Sequence, residues 1–205
     1  MIESMQELLW DRGYVGTSPK AVQQLAEAGQ GSMYHHFSGK PDLALEAIRR
    51  SADQMKALSE VQLSGSGSAF QRIEGFLRRE RDILRGCRLG RLTQDPDILA
   101  SPSLRQPLDE AFEWLRKRLA EVIAEGQAQG EFVADLNGDE IAAAIIGVLQ
   151  GGYVLSKAAG SEEPFHSAIR GMLRLLASLG KEDQQKPGRG KHDHGTSFEC
   201  LANNR

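Results

Sequence analysis

The sequence predicts an all-α chain built from a small N-terminal helical unit and a larger C-terminal one, and three observations carry that prediction. Apolar residues recur at three- and four-residue steps over most of the length. No stretch shows the period of two that marks a half-buried strand. Gly, Pro and Ser gather in short breaks between the periodic runs, at 64–68, 95–103, 130–140 and 160–164.

Within residues 1–50 the apolar groups are short and closely spaced: Leu8 and Leu9, then Val22, Leu25 and Ala26, then Met33, Tyr34 and Phe37. That spacing predicts three short helices packed together. A longer helix is predicted from Lys40 to about Leu63, with Pro41 suited to a first turn and Asp42 placed against the positive end of the helix dipole. From about Leu104 to Gly126, Leu108, Phe112, Leu115, Leu119 and Val122 share one helical face, while Glu113, Arg116, Lys117 and Glu121 take the other. Two adjacent helices follow, about Gly138–Ala159 with Ile141, Ile145, Val148 and Leu149 inward, and about Pro164–Leu179 with Phe165, Ile169, Met172, Leu173 and Leu176 inward. Residues 180–205 have few aliphatics and no period, so burial cannot offset their ordering entropy and a disordered tail is predicted.

The 205 residues carry 40% hydrophobic and 26% charged side chains, a globular composition long enough for a real core. No apolar run is read as a membrane span, and the N-terminus lacks the basic segment and cleavage site of a signal peptide, so a cytoplasmic protein with no membrane partner is expected. Cys87 and Cys200 are then free thiols rather than a disulfide framework. A net charge of −3 argues against a non-specific nucleic-acid binder, so any DNA site must be local.

The segment that carries function is Gly16 to Lys40. Gly13-Tyr14 closes the first helix, Thr17-Ser18 opens the second, and Gln30-Gly31-Ser32-Met33-Tyr34-His35-His36-Phe37 forms a third, with Lys40 beyond it. In order and register this resembles the helix-turn-helix of the TetR/AcrR family of transcriptional regulators. The resemblance implies a helix-turn-helix domain over 1–47 that binds double-stranded operator DNA. The DNA-binding set it marks is Thr17, Ser18, Lys20, Gln30, Gly31, Ser32, Tyr34, His35 and Lys40.

The residue types suit that task. Thr17 or Ser18 can cap the second helix and offer a hydroxyl to a phosphate. The amide of Gln30 can contact adenine bidentately, and Gly31 admits close backbone approach. Ser32, Tyr34, His35 and Lys40 can reach phosphate or sugar. Met33 and Phe37, four apart, are expected to face the core. His35-His36 points in two directions and is not read as a metal site. Two positions depart from the family's commonest form: Glu27 stands in place of the turn glycine, and Gly29 in place of the residue that caps the recognition helix. Residues 1–50 hold five bases and six acids, a local charge of −1, which predicts weak non-specific DNA binding with a shallow salt dependence.

Over 48–179 the resemblance rests on helix number and order. It implies a ligand-binding and dimerisation domain that pairs through the last two helices, with Ala142–Ala144, Gly147, Gly151 and Gly152 allowing close approach or merely packing within one subunit. It further implies release from a palindromic operator by a small-molecule inducer, with no cofactor. Phe76, Cys87, Trp114, Gln150 and Tyr153 are the candidate pocket residues, each equally able to be plain core. Cys87 is either an inert buried thiol or one activated by Arg88 or Arg91. An enzyme on a helical bundle is the alternative class, with a protein-binding adaptor as a third. No metal-ligand spacing, phosphate-binding loop or nucleophile motif supports catalysis.

Overall fold

The computed structural model describes residues 1–29, 33 and 35–180; the predicted tail beyond Gly180 lies outside them. Helices α1 (Ile2–Arg12) and α2 (Pro19–Leu25) are followed by helical residues at Met33, His35 and His36, and then by α3 (Lys40–Leu63). The remainder is α4 (Ala69–Arg78), α5 (Arg88–Leu92), α6 (Pro96–Ala100), α7 (Pro102–Ala128), α8 (Gly138–Ala159) and α9 (Glu163–Ser178). Among the described residues there is no strand, only an isolated antiparallel bridge between Phe132 and Gly180.

Local chemistry sets most boundaries. Ser68 caps α4 in a full capping box with Gln71, and the side chain of Asn137 accepts from the Asp139 and Glu140 amides to start α8. Gly160, in the left-handed conformation, ends α8. The stretch 95–103, expected to be loop throughout, instead contains α6. Asp95 caps it, Pro96 takes its first position, and Ile98 is fully buried, so three favourable terms outweigh the turn-like composition.

Two cores result. One joins α4, the second half of α7, α8 and α9 around Ile73, Phe76, Leu119, Ile145 and Leu173. The other takes Met5, Leu8, Val22, Met33 and Leu43 from the first 52 residues but adds Leu89, Leu92, Ile98, Leu104 and Leu108 from α5, α6 and the start of α7. The N-terminal unit therefore buries its apolar surface partly against residues between Leu89 and Ala111, and α3 runs along both.

The expectation that no apolar run reaches membrane-spanning length is corrected by α8, which is long and apolar enough to cross a bilayer by length and composition. Ala and Gly between Ile, Val and Leu raise its hydropathy without a continuous aliphatic block. One face, Ala142, Ile145, Leu149, Gly152, Tyr153 and Ser156, is buried against its neighbours, as in a core helix. Val154 and Leu155 on the other face remain exposed.

Phe76 is 1% exposed at the centre of the larger core. Phe76→Ala is expected to lower unfolding free energy by about 3–5 kcal/mol, read from chemical denaturation, because both transfer energy and packing are lost.

Candidate DNA interface and sensor cavities

The turn between α1 and α2 is built around Gly13, whose φ of +72° favours glycine, and a side chain there would meet Asp95 Oδ2 at 2.9 Å. That oxygen accepts from the backbone N–H of Tyr14 at 2.7 Å and of Val15 at 3.0 Å. The other oxygen of Asp95 accepts from the Asp97 and Ile98 amides at 3.2 and 3.4 Å. One buried carboxylate thus ties the entry of the helix-turn-helix to the start of α6, about eighty residues away in sequence. Charge-assisted bonds of this kind are the strong ones.

Above the latch, Lys40 Nζ sits 3.9 Å from the centroid of the Tyr14 ring. Burial lowers the pKa of Lys40 and is opposed by Asp97 and Asp95, while burial, with the same two carboxylates, raises that of Tyr14. A second clamp lies on α1: the guanidiniums of Arg85 and Arg88 lie over the Trp10 ring, 3.5 and 4.1 Å from its centroid, and the indole donates to the Gly86 carbonyl at 3.0 Å. Glu7 takes one hydrogen bond from each of those arginines.

The two hydroxyl candidates separate. The Ser18 side chain accepts from Ala21 N–H at 3.2 Å, so Ser18 is the cap, and it is exposed. Thr17 corrects the expectation that its hydroxyl is offered to a phosphate: the residue is 1% exposed and donates to the Gly13 carbonyl at 2.6 Å, holding the turn together. Lys20 is exposed and forms no ion pair among the described residues. Met33 is fully buried and receives a hydrogen bond on Sδ from Gln23, while Phe37 is partly buried against the same core, so both face inward as expected. His35 and His36 are exposed with their rings edge to face, and no metal-ligating group occurs among the described residues. Gln30, Gly31, Ser32 and Tyr34 lie outside the described residues.

Glu27 has a φ of +50°, so the turn requires a left-handed residue where the sequence supplies no glycine. Asp95 is the functional residue that sequence reasoning overlooked as a structural link. Its signal was present as an Asp-Pro pair, an N-cap followed by a first-turn proline.

In the larger unit two cavities flank Gly86, Cys87 and Tyr153. The first, about 480 Å³, lies between α5, the start of α7 and α8, and is lined by Arg91, Phe112, Gln150 and Lys157 among others. The second, about 610 Å³, lies between Trp10, the middle of α3, residues 79–82 and Tyr153. Of the five candidate residues, Cys87, Gln150 and Tyr153 reach a cavity. Phe76 and Trp114 take the core alternative: Phe76 is buried in the larger core, and Trp114 packs against the same core from α7. The Cys87 sulfur is used structurally, as Sγ caps α5 through Gly90 N–H at 3.3 Å, and Arg88 is committed to Glu7 and Trp10. Burial pushes the Tyr153 phenol up to about 12, so it stays neutral as a hydrogen-bonding group.

A capped second helix, helical residues with an inward-facing Met33 beyond it, and a carboxylate latch to a larger helical unit with two cavities are the arrangement of a helix-turn-helix protein with a second helical domain. Residues 3–47 match the family described as bacterial regulatory proteins, tetR family, and residues 67–172 match the tetracyclin repressor-like C-terminal domain. The chain belongs to the TetR family of transcriptional regulators: it is a DNA-binding regulator and not an enzyme. It is 28% identical over 189 residues to the transcriptional regulator AcuR of Cereibacter sphaeroides, covering 89% of this chain and 86% of that one. A crystal structure of a regulatory protein TetR from Rhodobacter sphaeroides aligns with a TM-score of 0.75 at 29% identity, covering 84% of this chain and 95% of that chain. A cysteine mutant of the TetR-family regulator CifR, solved with 26 bp of double-strand operator DNA, shares the fold with a TM-score of 0.72 at 24% identity, covering 84% and 93%.

Two outcomes test the latch and the turn. Asp95→Ala is expected to cost about 1.5–3 kcal/mol of stability and to speed hydrogen exchange at the Tyr14 and Val15 amides specifically; unchanged exchange there would mean that the carboxylate is not what holds the turn. Glu27→Gly is expected to raise stability by about 1 kcal/mol in thermal unfolding by relieving the left-handed strain.

Proposed function

We propose that the chain is a homodimeric, ligand-responsive repressor that holds a palindromic operator and releases it when a small-molecule inducer occupies the larger unit. The observation that carries this reading is the Asp95 latch, which makes the position of the helix-turn-helix depend on α6 and on the packing around it. The reading unit is 1–47, the sensing and pairing unit 48–179, and the tail 180–205. DNA contacts fall to Ser18, Lys20, Gln30, Gly31, Ser32, Tyr34, His35 and Lys40. Such a regulator acts beside the chromosome, in the cytoplasm.

Pairing through α8 and α9 is supported by what their outer faces leave uncovered. Ala142 and Gly152 are used within the subunit, Gly152 lying against Phe165, whereas Ala143, Ala144 and Gly147 are exposed beside Val154 and Leu155, with Leu175 exposed on α9. A symmetric pair places two recognition helices about one helical turn of DNA apart (~34 Å) or a multiple of it. An inducer then acts as far as it prefers the conformation in which that spacing is wrong.

Footprinting on operator-containing DNA is expected to show a protected palindrome. Gln30→Ala should weaken specific binding by ~1–3 kcal/mol and leave the dimer intact, whereas Lys20→Ala should weaken all sequences alike and reduce the salt slope by about 1. Absence of any protected palindrome would sink the repressor reading.

A further inference from the structure

The second cavity is unusual in what borders it. Arg79 and Arg81 lie side by side on its wall, half-buried or more, and neither has a carboxylate within ion-pair distance among the described residues. Arg81 turns its terminal nitrogens onto the carbonyls of Phe76, Leu77 and Arg79 at the end of α4. It is thereby held in place, but its Nε is buried without a partner. The Nε of Arg79 is likewise buried and unpartnered, and its guanidinium donates no hydrogen bond to the described residues. Glu80 and Asp82 border the same cavity but are exposed, and Asp82 accepts from the Arg85 amide instead.

We propose that this cavity binds a small organic carboxylate, with the guanidinium of Arg79 as its main anchor, Arg81 as a fixed second cation and the Tyr153 hydroxyl beside them. The inference rests on the reading of the larger unit as a sensor and names the chemical class of its ligand. A cation that is buried without a counter-charge is costly, and a bound anion removes that cost while gaining charge-assisted hydrogen bonds. Arginine is the residue whose planar fork matches a carboxylate. Met55, Ala57, Leu58 and Leu89 give part of the cavity an apolar lining beside the polar Ser51 and Gln54, which calls for a hydrocarbon body rather than a bare inorganic ion. Burial lowers the pKa of both arginines, that of Arg81 to about 10, consistent with cations lacking their partner. The site also touches α3 and Trp10, so an occupant meets both elements that lead to the DNA-binding unit.

The test uses the full chain, with propionate and benzoate as probes, their neutral amides as controls and inorganic phosphate as competitor. Binding is followed by calorimetry and by the intrinsic fluorescence of Trp10 in a Trp114→Phe background, with operator affinity measured in parallel. At millimolar concentration at least one carboxylate should bind, its amide about tenfold or more weaker. Arg79→Met should lose that preference while melting no lower than the wild type, since the Arg79 side chain makes no hydrogen bond among the described residues, and Arg79→Lys should retain part of it. Equal binding of amide and acid, unchanged carboxylate binding in Arg79→Met, phosphate competing as well as benzoate, or no binding of either carboxylate would each overturn the proposal. Arg79-dependent binding that leaves operator affinity unchanged would keep the site and remove the sensing role. Release of operator by a neutral molecule, with no carboxylate bound, would keep the sensing role and remove the anion.

Discussion

The structure depends most on one buried carboxylate. Asp95 spends its two oxygens on four backbone amides, two in the turn that launches the helix-turn-helix and two that start α6. Neither set has another side chain to replace it. The arrangement is economical because a carboxylate accepts in several directions at once, and a helix start and a tight turn both present unpaired N–H groups. It also means that the two ends cannot be displaced separately without leaving buried donors unsatisfied. Gly13 makes the arrangement possible, since a side chain there would collide with the same oxygen.

Around this point the molecule uses arginine in two contrasting ways. Arg85 and Arg88 are engaged, lying over the Trp10 ring and pairing with Glu7, and so hold α1 against residues 85–88. Arg79 and Arg81, only a few residues earlier, are buried without acids. The first pair holds the two units together at rest, and the second leaves the neighbouring cavity with an unmet electrostatic demand. A segment of ten residues therefore contains both the contacts that hold α1 and the cations that the proposed carboxylate would meet.

The shared core adds a third link. Leu89, Leu92, Ile98, Leu104 and Leu108 complete the hydrophobic interior of the first fifty residues, so a shift of α5 or α6 cannot leave that interior unchanged. The weak charge of the reading unit fits this design. With a local charge of −1 its hold on DNA depends on placement of a few contacts rather than on bulk attraction, and small displacements then have large effects.

The long helices were legible in the sequence because each repeats its apolar positions over several turns, as Leu108 to Val122 do. The DNA-binding motif was legible for the same reason: its order from Gly13 to Lys40 is contiguous. Thr17 shows the limit of that reading, since whether a hydroxyl faces a phosphate or a carbonyl four residues back depends on which side of the turn is covered. The choice among Phe76, Cys87, Trp114, Gln150 and Tyr153 was beyond sequence too, because periodicity assigns a residue to an inward face without saying whether that face meets packing or a cavity. By itself the sequence determined the fold class, the order of the long helices and the family motif, all of which rest on contacts within a few turns of chain. The tertiary structure alone decided the Asp95 latch, the Trp10 clamp and the unpaired arginines, because each is a relation between groups some seventy or more residues apart, or the absence of one, and no local pattern encodes it.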